Sequence, residues 1–282
     1  MKALLGLVFA LAVLAGCAPA PRVADSARLV DFGEGRRLFL NCQGRGSPTV
    51  FIIPGKGSYA AVWNGVVPTV AKTTRACAYD RPNTRQDGSY LSTPVPQPHS
   101  VRQAVDDVVK LIAAAKLSTP LVVVGHSYGG LIADLLARTH PGLVAGLVFV
   151  DPTSEYLPRL GRADQDVGFE VAARAPTPGP AGEGFFAGDA FAALRAAPPL
   201  ALPRVPAVVL SADMFAPRAN PAAQDYTKYQ IHRANSLLAD TLWADNVIVG
   251  GSGHNMMLYQ PRAVDGAIVT IVDKVRSGAR SR

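Results

Sequence analysis

The chain has 282 residues, 49% of them apolar and only 17% charged, which excludes a disordered, highly solvated polymer and predicts a packed core. The formal net charge is +7, but no basic block interleaved with aromatics accompanies it, so nucleic acid is not an expected partner. Lys274, Arg276, Arg280 and Arg282 read as a solvated tail.

Residues 1–16 form a region of their own. Met1-Lys2 supplies a short positive start, and residues 3–14 are an uncharged apolar run, shorter than the ~20 residues a membrane-spanning helix needs. That pattern fits a secretory signal. The run ends in Leu14-Ala15-Gly16-Cys17, which resembles the lipobox of bacterial lipoproteins. The resemblance implies cleavage before Cys17, a diacylglyceryl group on its sulfur, and an exported protein anchored to a membrane of the bacterial cell envelope. Two or more acyl chains anchor stably where one holds only marginally. The competing reading is an ordinary signal peptide cut near Ala18-Pro19-Ala20, with Cys17 discarded. Residues 17–27, with Pro19 and Pro21, read as a tether, and residues 28–282 as one folded domain.

Within that domain, residues 28–32 and 37–42 are extended runs around Gly33-Glu34-Gly35, a hairpin signal. Residues 49–53 form a short β-branched strand ending at Pro54-Gly55, and residues 76–79 another, stopped by Asp80-Arg81-Pro82. Residues 81–99 read as loop. Ser100-Val101-Arg102-Gln103 has the form of a capping box, followed by the helical stripe Val101, Val105, Val108, Ile112, Ala115. Residues 121–124 are a strand, 131–139 a helix ended by His140-Pro141-Gly142, and 147–150 a strand ending at Asp151. Residues 152–206 are rich in Pro, Gly and Ala and read as a cap-like insertion over the core. Strands at 208–210 and 247–249 and helices at 223–238 and 262–275 complete the chain. Strands alternating with helices mean an α/β fold with a mostly parallel sheet.

The central chemical signal is Gly125-x-Ser127-x-Gly129, with a β-branched strand before it, a helix after it and Gly130 beyond. A nucleophile on a sharp strand-to-helix turn takes strained backbone angles and needs small flanks, and the helix that follows directs its amides at developing negative charge. A serine hydroxyl needs a base. In the nucleophile-elbow order of Ser, acid and His, only His232 and His254 of the five histidines qualify. His232 sits in a helical pattern and reads as a surface residue. His254 lies in Gly251-Ser252-Gly253-His254, just past a strand, and is the expected base. The oxyanion of an acyl-transfer intermediate needs amide donors. Tyr128, after the nucleophile, and Lys56, in Pro54-Gly55-Lys56-Gly57, supply them. Cys42 and Cys77 show no metal spacing and no Cys/His cluster, so neither metal nor cofactor is expected.

On these residues the chain from about 28 to 275 resembles an α/β-hydrolase. Thr74–Pro82, Val124–Gly130, Gly146–Pro152 and Ser252–Pro261 are similar to an esterase-like branch of that superfamily, although Pro54-Gly55 stands where many members have His-Gly. The resemblance implies a mixed sheet of about eight strands with its first pair antiparallel. It also places the second strand beside the fourth, and with it Cys42 beside Cys77, whose disulfide is expected in an exported protein. The implied activity is cleavage of a carboxylic ester through an acyl-enzyme on a small acyl substrate. Peptidase, thioesterase and perhydrolase activities of the same fold, and a catalytically idle surface binding module, stand as alternatives. For the catalytic acid, Asp151 and Asp213 both sit at C-terminal strand ends between Ser127 and His254. Asp213 follows the strand after which most of the superfamily places its acid. The esterase-like branch repeats Val-Asp-Pro at Asp151, the preferred choice, with Asp213 as the alternative.

Overall fold

The computed structural model describes residues 26–84, 91–157, 182–184, 187–197, 204–215 and 221–279. The expected signal region and Cys17 lie outside these residues, as does most of the expected cap. Eight strands form a single sheet: β1 (Ser26–Asp31), β2 (Arg37–Gln43), β3 (Val50–Ile53), β4 (Ala76–Asp80), β5 (Leu121–His126), β6 (Val144–Val150), β7 (Ala207–Ala212) and β8 (Asp245–Val249). Their order is β1-β2-β4-β3-β5-β6-β7-β8. β2 is antiparallel to both β1 and β4, and every later pairing is parallel. β3 and β5 therefore lie at the centre, where parallel strands are covered on both faces and read as continuous apolar runs.

The period-2 alternation of the strands divides two cores. Phe51, Ile53, Val123, Leu147, Phe149 and Val209 face one side, where α2 (Val101–Ala114), α3 (Tyr128–Thr139), α4 (Ala187–Ala196) and α5 (Pro221–Leu242) pack on them. Val50, Ile52, Val122, Val124, Val148 and Val150 face the other, against α1 (Val67–Val70), α6 (Met256–Tyr259) and α7 (Pro261–Arg276). The stripe expected on α2 is buried along its length, each Val or Leu contributing about 1.5–3 kcal/mol on burial. Ser100 caps this helix: its side chain accepts from the Gln103 amide, while the Gln103 side chain accepts from the Ser100 amide. Of the insertion, α4 buries Phe191 and Leu194 in the first of these cores. Cys42 stands opposite Cys77 in the β2–β4 register, and the two form a disulfide. Among the described residues no helix is long and apolar enough to cross a membrane.

Two sequence expectations need correction. Arg276 is exposed but is not part of a free tail: it closes α7 and donates from Nε to Ser47 O (2.9 Å) and from Nη2 to Thr73 O (3.0 Å). His232 is half-buried, and its Nε2–H donates to Ala212 O at 2.7 Å, so it pins the end of β7. A helix packed on a strand end offers a buried carbonyl that an imidazole can satisfy, and this is visible only once the two elements are adjacent.

Candidate active site

β5 runs directly into α3 through Ser127, whose backbone adopts φ 51° and ψ −123°. A non-glycine residue with this φ is strained, at a cost of about 1–3 kcal/mol, and persists only when its surroundings impose it. The flanking glycines show how. A Cβ on Gly125 would lie 2.7 Å from Gly129 O, one on Gly129 would collide with Ile53 O, and one on Gly130 would lie 2.7 Å from the Pro152 Cβ. The turn is thus clamped between β3, α3 and the residue after Asp151. Ser127 N–H donates to Val150 O (3.3 Å), and Ser127 O accepts from Thr153 N–H (3.0 Å), which ties the elbow to the end of β6.

That end carries Asp151, also at positive φ (40°) and buried. Its Oδ1 accepts from the Ala212 amide at 3.0 Å, so the last residue of β7 orients the carboxylate. Its Oδ2 accepts from His254 Nδ1–H at 2.6 Å, and His254 Nε2 accepts from the Ser127 hydroxyl at 3.0 Å. With the carboxylate on Nδ1, the ring holds its proton there and presents a bare Nε2 to the serine. The imidazole is half-exposed above a buried acid. Ser127, His254 and Asp151 are therefore brought together. Asp213 is not part of this chain: its Oδ1 pairs with Lys228 Nζ at 2.6 Å, a contact that holds its carboxyl below the usual range.

His126 underlies the assembly. Its Nε2–H donates to the His254 carbonyl at 3.0 Å, and the two rings lie 4.8 Å apart. On its other side, a Cβ at Gly55 would lie 2.6 Å from the His126 Nδ1, so glycine is required there. Burial pushes this imidazole down to about 3, with His254 acting in the same sense, so the ring is neutral at physiological pH. The chain-order argument that excludes His126 as a base gave no hint of this supporting position.

The loop after β3 places Gly55 against the nucleophile, a Cβ there lying 3.1 Å from the Ser127 Cβ. Lys56 follows Gly55 in this loop, and Tyr128 opens α3, so both expected oxyanion donors flank Ser127. Burial lowers the Lys56 ammonium, and Glu183 opposes that shift. Arg81, read from sequence only as the end of a strand, is buried behind the loop with Glu183 of the insertion. No local pattern signals this pair, since its members stand 102 residues apart.

Comparison with known proteins agrees with this architecture. Over 139 residues, 47% of this chain, it is 34% identical to 19% of the Hormonema carpetanum protein named "Probable transporter efuK". Over 98 residues, 35% of this chain, it is 33% identical to 28% of the pimeloyl-[acyl-carrier protein] methyl ester esterase of Neisseria meningitidis. The matches thus span well under half the length of these curated relatives. The solved structure of Est816, an N-acyl homoserine lactone degrading enzyme, shares the fold at TM-score 0.61 and 18% identity, covering 86% of this chain and 99% of that one. The model of the alpha/beta hydrolase fold family matches residues 48–252, and the chain belongs to that family.

Proposed function

We propose that the protein is a serine hydrolase that cleaves carboxylic ester bonds through an acyl-enzyme on Ser127. The observation that carries this reading is the hydrogen-bonded chain Ser127–His254–Asp151, with links of 3.0 and 2.6 Å, on a strained elbow. His254 Nε2 takes the Ser127 proton as Oγ attacks the ester carbonyl, and Asp151 stabilises the imidazolium that forms. The amides of Lys56 and Tyr128 receive the oxyanion. Collapse of the tetrahedral intermediate expels the alcohol, which takes the proton from His254. Water, deprotonated by the same imidazole, then attacks the acyl carbonyl and frees the acid. The relatives support an ester substrate, one acting on a methyl ester and a fold neighbour degrading a lactone.

A fluorophosphonate probe should label the wild-type protein and fail on Ser127→Ala, and p-nitrophenyl esters from acetate to palmitate should be turned over by the wild type alone. A folded wild type that neither labels nor turns over any ester refutes the proposal. We further infer that the protein is exported and anchored to an envelope membrane by lipid on Cys17, a reading supported by Leu14-Ala15-Gly16-Cys17 and by a disulfide suited to an oxidising compartment. Mass spectrometry of the mature protein should find the lipid on Cys17, and an amino terminus beyond Cys17 rules the anchor out.

A further inference from the structure

The loop that carries Lys56 is gripped from behind by two buried charges from distant parts of the chain. Arg81 Nη1 donates to Pro54 O at 2.6 Å and Nη2 to Gly55 O at 2.5 Å. Its Nε and Nη2 also donate to the two oxygens of Glu183 at 2.6 and 3.1 Å. Glu183 Oε2 in turn accepts from the Gly57 amide at 2.8 Å. The Arg81 and Glu183 side chains are 2% and 5% exposed. Residues 54–57 are thus held through two carbonyls by the cation and through one amide by the anion, with Lys56 between these contacts. The guanidinium also lies over the ring of Tyr128, 5.3 Å from its centroid, so the same cation abuts the residue carrying the second expected donor.

The geometry of the peptide bond gives this grip a direction. The carbonyl of Gly55 and the amide of Lys56 belong to one planar trans unit, in which C=O and N–H point in opposite senses. Drawing the Gly55 oxygen toward Arg81 turns the Lys56 N–H away from Arg81, on the side opposite the buried pair. The Gly55 oxygen is further fixed by Ser58 N–H at 3.0 Å, which closes the turn. Preorganised donors stabilise an oxyanion because they need no reorientation as charge develops. Gly55, on one side of that peptide bond, has little intrinsic preference for one peptide-plane orientation.

We propose that Arg81 and Glu183 are positioning residues for oxyanion stabilisation: the pair sets the Gly55–Lys56 peptide plane, and Glu183 makes that setting depend on the insertion. This inference rests on the hydrolase reading above. It separates from a merely structural ion pair, because replacing a buried pair by apolar residues of similar size commonly preserves stability, whereas breaking it strands a buried charge.

The test therefore uses Glu183→Gln and the double variant Arg81→Met with Glu183→Met in the full chain. In the double variant, which leaves Pro54 O and the Gly57 amide without these partners, Tm should fall but a cooperative unfolding transition should remain, while kcat for a p-nitrophenyl ester falls 10- to 100-fold and KM stays within about threefold. The range follows from the ~10²–10³-fold cost of removing one oxyanion donor outright. Affinity for an aryl trifluoromethyl ketone, whose serine adduct carries an oxyanion, should fall by a similar factor, and the acidic limb of kcat/KM should not move. Glu183→Gln should lose less, since its amide oxygen still accepts one of the donors. A double variant that folds and keeps kcat within twofold of the wild type overturns the proposal, as does a loss confined to KM or accompanied by a shifted acidic limb. A wild type that neither turns over the ester nor binds the ketone refutes the hydrolase reading itself.

Discussion

Acidification from pH 8 to 5 should destabilise the fold by about 2 kcal/mol through His126 alone. Unfolded, its imidazole titrates near the ordinary histidine value of 6.5, and folded it is held to about 3, chiefly by burial. Because the folded value is the lower one, the unfolded chain binds the extra proton. The contribution is fully present above pH 6.5 and is lost as pH falls from there toward 3. In that window the slope is about 1.4 kcal/mol per pH unit, so the 1.5 units down to pH 5 remove about 2 kcal/mol. Any folded value below about 4 gives the same figure at pH 5. The cause is on the ring: Nε2 already donates to His254 O, and the buried Nδ1 has no hydrogen-bond partner. A proton there would put a buried cation 4.8 Å from the His254 ring, and the attraction of the Asp151 carboxylate falls short of offsetting the burial. At roughly 2–4 °C per kcal/mol for chains of this size, Tm should fall by roughly 4–8 °C from this source. Urea unfolding of wild type and His126→Gln at pH 5, 6, 7 and 8 measures it. The variant starts less stable at pH 8, having lost the ring packed beside Gly55 and Trp63. Its stability should nevertheless decline by about 2 kcal/mol less over the interval. Parallel curves for the two proteins would refute the reasoning.

Asp151→Asn should fold and lose on the order of 10⁴ in kcat on a p-nitrophenyl ester, because the imidazole tautomer is no longer held. Asp213→Asn, assayed beside it, should stay within about threefold; the reverse pattern transfers the role of acid. Replacing Cys42 and Cys77 together by Ala should cost about 4 kcal/mol in urea unfolding, since the bond closes a separation of 35 residues, and two alkylatable thiols in the non-reduced wild type would contradict the bond. Gly129→Ala should yield no soluble protein, because its methyl would meet the Ile53 and Pro54 carbonyls. By contrast, Gly142→Ala, with nothing within 4 Å, should leave the Tm measured by circular dichroism within about 2 °C.

What could be read from sequence was what short-range physics dictates. The period-2 strands, the Ser100 cap and the glycines around Ser127 are each imposed by neighbours a few residues away, so their signals are local. Strand ends were read short wherever pairing rather than propensity extends them. β7 runs on through Ser211 and Ala212 because these residues pair with Ile248 and Val249, and β6 begins at Val144 although Gly146 interrupts the apolar run. Gly146 is needed there, since a Cβ would lie 2.7 Å from Ile271 of α7. The Arg81–Glu183 grip left no trace in the pattern. Its acid stands in a Pro/Gly-rich insertion without periodicity, and its base follows a strand whose end is marked equally well by Pro82. His126 was visible only as a residue inside the elbow, because what makes it matter is the loop from the far end of the sheet that lies on it.

The two strand-end carboxylates show why the acid could not be assigned by spacing alone. In a parallel sheet β6 and β7 end side by side, so either carboxylate is near enough to serve a histidine on the next loop. What separates them is the backbone. Asp151 N–H donates to Leu210 O at 2.7 Å, its φ is positive, and its Oδ1 is held by the Ala212 amide. These contacts turn Oδ2 toward His254. At the end of β7 the amides of Asp213 and Met214 instead both donate to Ser252 O, at 3.0 and 2.9 Å, so this strand end grips the loop that carries His254. The Asp213 side chain adds only a long contact to that grip, its Oδ2 accepting from Gly251 N–H at 3.5 Å, while its Oδ1 turns to Lys228 at 2.6 Å. β7 thus serves the site chiefly with main-chain groups: one amide orients the acid, and two anchor the loop of the base. In this chain the carboxylate that meets the imidazole accordingly stands on β6. That division of labour is why Asp213→Asn should disturb the enzyme only slightly while Asp151→Asn disables it.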